Sequence, residues 1–404
     1  MDDKTAAHMD RRRFIGTCTV AAGGALLGVP QAPAEEEQPV ATPTPQPPAE
    51  VVTNIDDFME APKAPGAIPG PFPGRVVEVH DPRVLVDDKV DAAVVREMVA
   101  TGISRLTGKP AKESFALFFK PEDVVGLKVN PVGPPLINTR LELVEAMIRW
   151  LVDGGLPKGN IVVWDRFDNM LAEGGYTTAN FPGVRIEGMQ AMDETGDSWR
   201  DKDGHHVSEG RFDREAFYFA KGVLGKGVDG YPSDEFYLNQ HVFAGEESYF
   251  GNLVTKTLTK IVNLPVYKNT GNGISMATKN LGYGVTCNTG RLHGPLFFRV
   301  CTEVLAAPWI RDKLVLNITD GIRGQYDGGP MMNAQFIYPH RRLYFATDPF
   351  ALDTLCQQQM VAKRKEMKIK VNEHPRYTDY LRYAEKLGLG IADPAKIEHI
   401  VVGA

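Results

Sequence analysis

Cysteine is scarce in this sequence, which contains 4 cysteines in 404 residues. None of them lies in a C-x-x-C pair, so the spacing argues against a ferredoxin-type iron-sulfur cluster or a zinc site made of cysteines. In an oxidising compartment a disulfide could form among Cys287, Cys301 and Cys356. Separate burial as small apolar side chains is the alternative, and the spacing does not select a pair.

Long apolar runs and an excess of basic residues are missing too. The most apolar candidate for a membrane span, residues 292–310, carries His293, Arg299 and Glu303, whereas a spanning helix needs about 20 apolar residues. The formal net charge is -6, while nucleic acids and anionic membranes attract basic surfaces. We therefore predict no nucleic-acid partner and no membrane anchor after processing.

Residues 1–34 have the pattern of a twin-arginine export signal. Arg11, Arg12 and Arg13 precede Phe14 and a mild apolar segment that glycines interrupt. The small residues of Ala32-Pro33-Ala34 lie where a signal peptidase would cleave. We predict cleavage after about Ala34, the twin-arginine export machinery as a partner, and a periplasmic or secreted protein.

Proline is dense in residues 35–74. It keeps the chain extended and removes backbone donors, so this segment is predicted to be a linker or a wrapping arm in which only residues 55–59 could dock. The folded part is then a single domain, residues 75–404, because no internal repeat divides it.

Strand and helix patterns alternate from Arg75 onward. Strand-like runs at residues 75–80, 124–129 and 160–165 are separated by segments with helical spacing of apolar residues. Such alternation is typical of right-handed parallel crossovers. The predicted fold class is α/β, with a predominantly parallel (mixed) sheet and helices on both faces.

An insertion at about residues 186–250 interrupts this alternation. It is rich in aromatic residues, glycines and acids, and is predicted to be irregular or antiparallel. It could cover a pocket or simply pack on the sheet. Beyond it, further strands are predicted at residues 260–266, 313–320, 343–346 and 397–402, and helices at 273–281, 295–306, 350–367 and 377–387.

Ionisable or polar side chains follow most of the predicted strands. Because the carboxyl ends of parallel strands meet at one edge of a sheet, where α/β proteins bind ligands, we expect these side chains to converge. They are His80, Lys128, Asn130, Asp165, Lys268, Asp320 and Asp348. Each alone has an ordinary structural explanation, such as a helix cap for Asp348. Only their convergence indicates a site.

The glycine-rich stretch of residues 261–294 adds more polar and cationic side chains, namely Lys279, Asn280, Asn288, Arg291 and His293. Cations close to a sheet edge are costly unless something anionic neutralises them. Either the aspartates do so in a buried ion-pair network without a ligand, or the cations bind a carboxylate or phosphate.

The second alternative leads to an exported enzyme that acts on a small anionic molecule. The predicted substrate-binding residues are Lys128, Asn130, Lys268, Lys279, Asn280, Asn288 and Arg291. His293, His80 and Asp320 are the candidates for proton transfer, and Asp165, Asp320 and Asp348 could bind a divalent metal. A non-catalytic periplasmic protein that binds or assembles a ligand or metal, and a redox accessory protein, are the alternative hypotheses.

Several motifs resemble the domain of unknown function family 362 in its twin-arginine-exported form. They are VGLKVN at 125–130, NLPVYK at 263–268, ATKNLGYG at 277–284, RLHG at 291–294, LNITDGIRGQYDGGP at 316–330, ATDPFALD at 346–353 and KLGLG at 386–390. Some relatives carry fused ferredoxin modules, which this sequence lacks, so no iron-sulfur cluster is expected here. Many relatives read Lys-Asp-His where this chain has Lys268-Asn269-Thr270. An acid and an imidazole of the family are therefore missing.

Overall fold

The computed structural model describes residues 51–224, 241–294 and 296–403. Residues 50–404 form one compact unit. The predicted signal peptide and residues 35–50 of the proline-rich linker lie outside the described residues, so export by the twin-arginine route stays a prediction. Within the described ranges, no helix is both long and apolar enough to cross a membrane.

Strands and helices alternate along most of the described chain. The strands are β1 (Arg75–His80), β2 (Leu85–Val86), β3 (Lys89–Val90), β4 (Val125–Lys128), β5 (Ile161–Phe167), β6 (Arg185–Gln190), β7 (Phe212–Phe219), β8 (Glu247–Gly251), β9 (Lys260–Asn263), β10 (Val266–Thr270), β11 (Gly273–Ile274), β12 (Leu314–Gln325), β13 (Ile337–Ala346) and β14 (Glu398–Val402). The α-helices are α1 (Ile55–Glu60), α2 (Ala92–Thr107), α3 (Ala111–Phe118), α4 (Leu141–Asp153), α5 (Asp168–Glu173), α6 (Ala277–Gly282), α7 (Arg299–Ala306), α8 (Pro308–Arg311), α9 (Pro349–Glu366) and α10 (Asp379–Lys386).

A mixed, mostly parallel sheet forms the centre of the molecule, as the alternation predicted. Its strand order is β14-β1-β13-β12-β9-β4-β5-β6, with β10 beside β12 and β11 beside β10. Strand β13 is antiparallel to both of its neighbours, β1 and β12. The strands on either side of it therefore run in the same direction.

Helices cover both faces of the sheet because successive strand residues point to opposite sides. In β5, Ile161 and Val163 pack with helices α2, α3 and α4. Val162 and Trp164, which point to the other face, pack with α7, α8 and the β7–β8 pair. Both faces of β5 are thus buried, which is typical of a continuous apolar run in a parallel part of a sheet.

The insertion begins later than predicted. Residues 185–190 form strand β6, which pairs parallel to β5 at the end of the main sheet. The separate part holds the antiparallel pair β7–β8, and residues 225–240 lie outside the described ranges. The insertion was predicted to be irregular or antiparallel, and its described strands β7 and β8 are antiparallel.

Residues 51–74 pack on the domain. Ile55 and Phe58 of α1 are buried, and so is Ile68, which lies beyond the docking segment expected from the sequence. The buried Arg311 guanidinium donates to the Phe58 carbonyl at 2.8 Å and the Pro62 carbonyl at 2.7 Å. These bonds tie the segment to α8.

Thr139 and Glu142 have the spacing that is typical of a capping box at the start of α4, but no such box forms. The Thr139 hydroxyl donates instead to the Leu264 carbonyl at 2.7 Å. The first turn of α4 receives its acceptor from a distant strand, since an Asp320 carboxylate oxygen accepts the Arg140 N–H at 2.7 Å. The three cysteines of this region, Cys287, Cys301 and Cys356, are free and buried.

Candidate functional site

A cavity of about 260 Å³ lies beside the ends of β4 and β5, against β10 and α6. Its volume suits a small molecule rather than a nucleotide or a peptide, because drug-sized ligands occupy roughly 300 Å³ or more. Charged and ionisable groups that line it are Lys128, Asp165, Arg166, Lys268, Lys279 and His293. The sequence predicted all of these as site residues except Arg166.

Lys128 and Asp165 come together because their strands are neighbours. Lys128 is paired in register with Trp164 of β5, so the next residue, Asp165, lies beside the lysine head. The two form a buried ion pair. Lys128 Nζ also donates to the Val129 carbonyl at 3.0 Å. Burial lowers the pKa of Lys128, and the charge of Asp165 opposes that change.

Gly284 leaves room for the Lys128 side chain. A Cβ atom at this position would approach Lys128 Nζ to 2.8 Å and the Asn280 carbonyl oxygen to 2.2 Å. The glycine of the KNLGYG block is therefore required by close packing against the cavity lysine.

Amide side chains connect the cavity to the middle of the sheet. Asn280 Oδ1 accepts from Asn130 Nδ2 at 3.0 Å and from Lys128 Nζ at 3.3 Å. Asn280 Nδ2 donates to Asn263 Oδ1 at 2.8 Å, and Asn263 Nδ2 donates to Asn317 Oδ1 at 3.0 Å. This chain of buried amides fixes which way Asn280 faces. Asn263 and Asn317 were not predicted as site residues, although both interrupt apolar strand runs.

Lys268 lies inside β10 and not at the end of a strand. The predicted strand at 260–266 is divided into β9 and β10, which pair one after the other along β12. The Lys268 ammonium position is fully buried and donates to Asn130 Oδ1 at 2.9 Å and to the Val132 carbonyl at 2.8 Å. Burial, assisted by the charge of Lys279, lowers its pKa to about 7.

Lys279 is half-buried on α6. Its ammonium lies 4.9 Å from the ring centre of Tyr283 and 5.6 Å from that of Phe297. Within the described ranges it has no carboxylate partner and no hydrogen bond. Burial lowers its pKa, while the two rings favour its charged form.

Arg166 and His293 complete the lining on the side of the insertion. The Arg166 guanidinium donates to Gln190 Oε1 and to Thr289 Oγ1, and burial lowers its pKa to about 10. The His293 ring contacts the Thr289 carbonyl through Nδ1 at 2.9 Å. Burial and the neighbouring Lys279 lower the pKa of His293 to about 4, so the imidazole is neutral at pH 7.

Two predicted substrate-binding residues hold the insertion and do not line the cavity. Asn288 Oδ1 accepts the backbone N–H groups of Val242 and Phe243 at 2.9 and 3.1 Å. Arg291 donates to the Val223 carbonyl at 3.0 Å and to the Tyr218 carbonyl at 3.2 Å. Both side chains attach the insertion to the glycine-rich stretch, through the backbone groups of Tyr218, Val223, Val242 and Phe243.

The structure places His80, Asp320 and Asp348 away from the cavity lining. His80 ends β1, which β13 separates from β12. Both oxygens of Asp320 accept backbone N–H groups, from Arg140 at 2.7 Å and from Ile322 at 3.1 Å. Burial raises the pKa of Asp320.

The prediction that Asp348 shares the edge of the other strand ends is wrong. Because β13 is antiparallel to its neighbours, Asp348 follows it at the opposite edge of the sheet. There its carboxylate accepts the Gly74 N–H at 3.1 Å and the Phe350 and Ala351 N–H groups at 3.0 Å each. It caps α9, which is the structural alternative considered above.

The donors for a metal are consequently dispersed. Asp165 is paired with Lys128, while Asp320 and Asp348 accept backbone hydrogen bonds elsewhere. Across the residues that the structure describes, no group of three or more His, Cys, Asp or Glu could hold a metal ion. The cavity lining is instead rich in basic side chains. Among its described residues there is one carboxylate, that of Asp165, and there are four basic groups, those of Lys128, Arg166, Lys268 and Lys279.

Comparison with known proteins supports a family resemblance over part of the chain and gives no activity. No curated protein matches the chain. A crystal structure of a Thermotoga maritima protein, a target of the Northeast Structural Genomics Consortium, aligns with a TM-score of 0.35 and 12% sequence identity. The alignment covers 70% of this chain and 60% of that chain. Residues 240–358, which include β10 and α6, match the family described as "Domain of unknown function (DUF362)", and this match supports the resemblance over that part of the chain.

Proposed function

We propose that the cavity binds a small anion with a carboxylate or phosphate group and that the protein is an enzyme acting on it. The supporting observation is the imbalance of charge in the lining. Lys268 and Lys279 have no carboxylate partner within the described ranges, and the aspartate that is present pairs with Lys128. In a buried network of internal ion pairs, protein carboxylates would neutralise these two lysines. The described residues provide no such carboxylate for either of them.

Lys279 is the residue best placed to bind the anion. It lines the cavity, it is half-buried, and no described acceptor occupies its ammonium. An anion there gains charge-assisted hydrogen bonds in a site that excludes much of the water. Lys128 and Arg166 are already engaged by the protein, and would add positive potential.

His293 supports a catalytic role over a purely binding one. Its pKa is lowered to about 4 by burial and the charge of Lys279, so the ring is neutral at pH 7, and an anion bound to Lys279 would raise this pKa toward the range in which an imidazole exchanges protons. A protein that only carried an anion would gain more from a protonated imidazole at this place. The neutral ring beside several cations is thus more useful for proton transfer than for holding charge.

The anion site is tested by replacing Lys279 with methionine, which keeps much of the packing on Tyr283 and Phe297. We expect Lys279→Met to weaken binding of inorganic phosphate and of succinate at least tenfold, measured by titration calorimetry at pH 7, because charge-assisted bonds contribute about 1.5–3 kcal/mol. The melting temperature should not fall, since the variant removes a buried charge that lacks a carboxylate partner.

A matched control is Lys363→Met. Lys363 also lies over an aromatic ring, 5.0 Å from the centre of Tyr338, but it pairs with Glu366 and does not line the cavity. This variant should bind both anions like the wild type. Unchanged anion affinity in Lys279→Met together with a lower melting temperature would show that the cluster is structural.

A further inference from the structure

Lys268 has an environment that matches a neutral amine better than an ammonium group. Its nitrogen is fully buried and donates to two acceptors, Asn130 Oδ1 at 2.9 Å and the Val132 carbonyl at 2.8 Å. An ammonium has three N–H donors, and the described residues provide no third acceptor. A neutral amine has two N–H donors, so both are satisfied and its lone pair stays available.

The charges around Lys268 act in the same direction. Lys279 and Lys128 both raise the cost of protonating it, and the nearby Asp165 carboxylate is already bonded to Lys128. Burial is the largest cause of the pKa near 7. Burial next to another cation is a known way to make a lysine nucleophilic at neutral pH.

The two cavity lysines therefore differ in chemical character. Lys279 lies over two aromatic rings, at 4.9 and 5.6 Å from their centres, and these contacts favour its cationic form. Among the described residues, Lys268 has no ring contact and two carbonyl-type acceptors. Neighbouring groups whose environments separate their pKa values commonly divide binding and proton or nucleophile chemistry between them.

We propose that Lys268 is a nucleophile that forms a Schiff base with the carbonyl carbon of a small oxo acid, whose carboxylate is bound by Lys279. This inference rests on the proposed anion site and names its substrate class. The lysine nitrogen bonds to the carbonyl carbon, and its proton moves to the oxygen to give a carbinolamine. With one further proton, which His293 can relay from solvent, the C–O bond breaks, water leaves, and a protonated C=N bond remains.

Access to Lys268 requires one local change. Its nitrogen is closed off by Asn130 and Val132, so an entering carbonyl group must replace one of these two contacts. The Val132 carbonyl belongs to the loop between β4 and α4, outside both elements. Displacement of this loop would expose the amine without disturbing the sheet.

The test is reductive trapping of the wild-type protein. Incubation with glyoxylate, pyruvate or 2-oxoglutarate and sodium borohydride should give one reduced adduct per chain, which peptide mass spectrometry locates at Lys268. The trapping rate should rise as the pH passes through about 7, whereas exposed lysines react well above that pH. Adducts at Lys279, adducts spread over surface lysines, or no adduct with any of the three acids would overturn the inference.

Two controls separate this inference from the anion site. Lys268→Arg keeps a long basic side chain but cannot form an imine, so it should lose the adduct, whereas Lys363→Arg should keep it. If Lys268→Arg does not fold, the peptide map and the pH profile of the wild type still decide. Succinate has two carboxylates but no ketone or aldehyde group that an amine could attack. If succinate binds but the oxo acids are not trapped, only the proposal that Lys268 is a nucleophile is rejected. If neither succinate nor phosphate binds, the anion site itself is rejected.

Discussion

The ion pair between Lys128 and Asp165 shows how a single residue can be essential for stability without adding to it. Both side chains are almost completely buried. Removing one partner leaves the other charged and desolvated, which typically costs about 3–5 kcal/mol, whereas removing both costs much less. Either single substitution therefore costs more stability than the net contribution of the ion pair would suggest.

We predict that Lys128→Met lowers the free energy of unfolding by about 3 kcal/mol, because it leaves the Asp165 carboxylate without its cation. The double variant Lys128→Met with Asp165→Asn should recover more than half of that loss, as measured by urea unfolding at pH 7. Arg149→Met is the matched control: its partner Glu145 lies 3.4 Å away on the surface of α4, and exposed pairs contribute less than about 1 kcal/mol. Additive effects of the two cavity substitutions would contradict this view of the pair.

At the same scale, the sequence predicted residue types well and directions poorly. Lys128, Asn130 and Asp165 were found because they follow buried strands, and the strands do meet at one edge. Arg291 and Asn288 were misassigned because Arg291 lies in a short 3-10 helix and Asn288 in a loop, where spacing does not tell which way a side chain faces. They turn to the insertion and bind its backbone carbonyl and N–H groups.

Among the elements, α6 is the one on which the site depends, since it carries Lys279 and Asn280. It has six residues, and a helix this short is not stable alone. Asp353 of α9 holds its start by accepting the Ala277 N–H, the Thr278 N–H and the Thr278 hydroxyl at 2.9, 2.9 and 2.6 Å. The aspartate thus acts on the cavity through the helix.

Asp353→Ala should lower both stability and anion affinity. Three donors lose their acceptor, so we expect a loss of about 2–3 kcal/mol in the free energy of unfolding. Displacement of α6 should weaken phosphate binding about tenfold in calorimetry. Asp91→Ala is the matched control, because Asp91 caps α2 by accepting two N–H groups, at 2.8 and 3.1 Å, far along the chain from the cavity residues. It should lose about 1 kcal/mol of stability and no phosphate affinity. Equal effects of the two variants on affinity would remove α6 from the argument.

The elements of the parallel core were predictable because each has a single strong pattern. Strand β1 has its predicted range, residues 75–80, and helix α2 lies in the segment between the predicted strands, where the apolar residues have helical spacing. Strand direction was not predictable, since an apolar run has the same pattern in a parallel and an antiparallel strand. That is why Asp348, after the antiparallel β13, was placed at the wrong edge.

For the whole molecule, the chain termini of the folded domain meet in one buried charge network. Glu78 of β1 accepts from Arg342 of β13 at 2.6 Å, from Gln359 of α9 at 2.8 Å and lies 3.0 Å from His399 of β14. The contacts join the beginning and the end of the domain across three strands and one helix. The residue numbers of its members differ by up to 321, so no local sequence pattern could have predicted the network.

Acid unfolding should report on this network. Burial acts against the charged form of Glu78, but the hydrogen bonds from His399, Gln359 and Arg342 outweigh it and lower the pKa from 4.5 to about 2. Because the folded-state pKa is the lower one, the charged group stabilises the fold above pH 4.5, and this contribution is lost as the pH falls toward 2.

We therefore predict that Glu78→Gln is less stable than the wild type by about 1–3 kcal/mol at pH 7, a range that allows for partial screening by solvent. Urea unfolding at pH 7, 4, 3 and 2.5 should show the difference shrinking steadily below pH 4.5, because the carboxyl of the unfolded wild-type chain then takes up a proton, whereas the folded one keeps its charge until the pH approaches 2. Glu145→Gln, on the surface of α4, should show no such convergence. If the difference between Glu78→Gln and the wild type stays constant over this range, the contribution of Glu78 is packing and not charge, and its charged hydrogen bonds do not help to hold the two ends of the domain together.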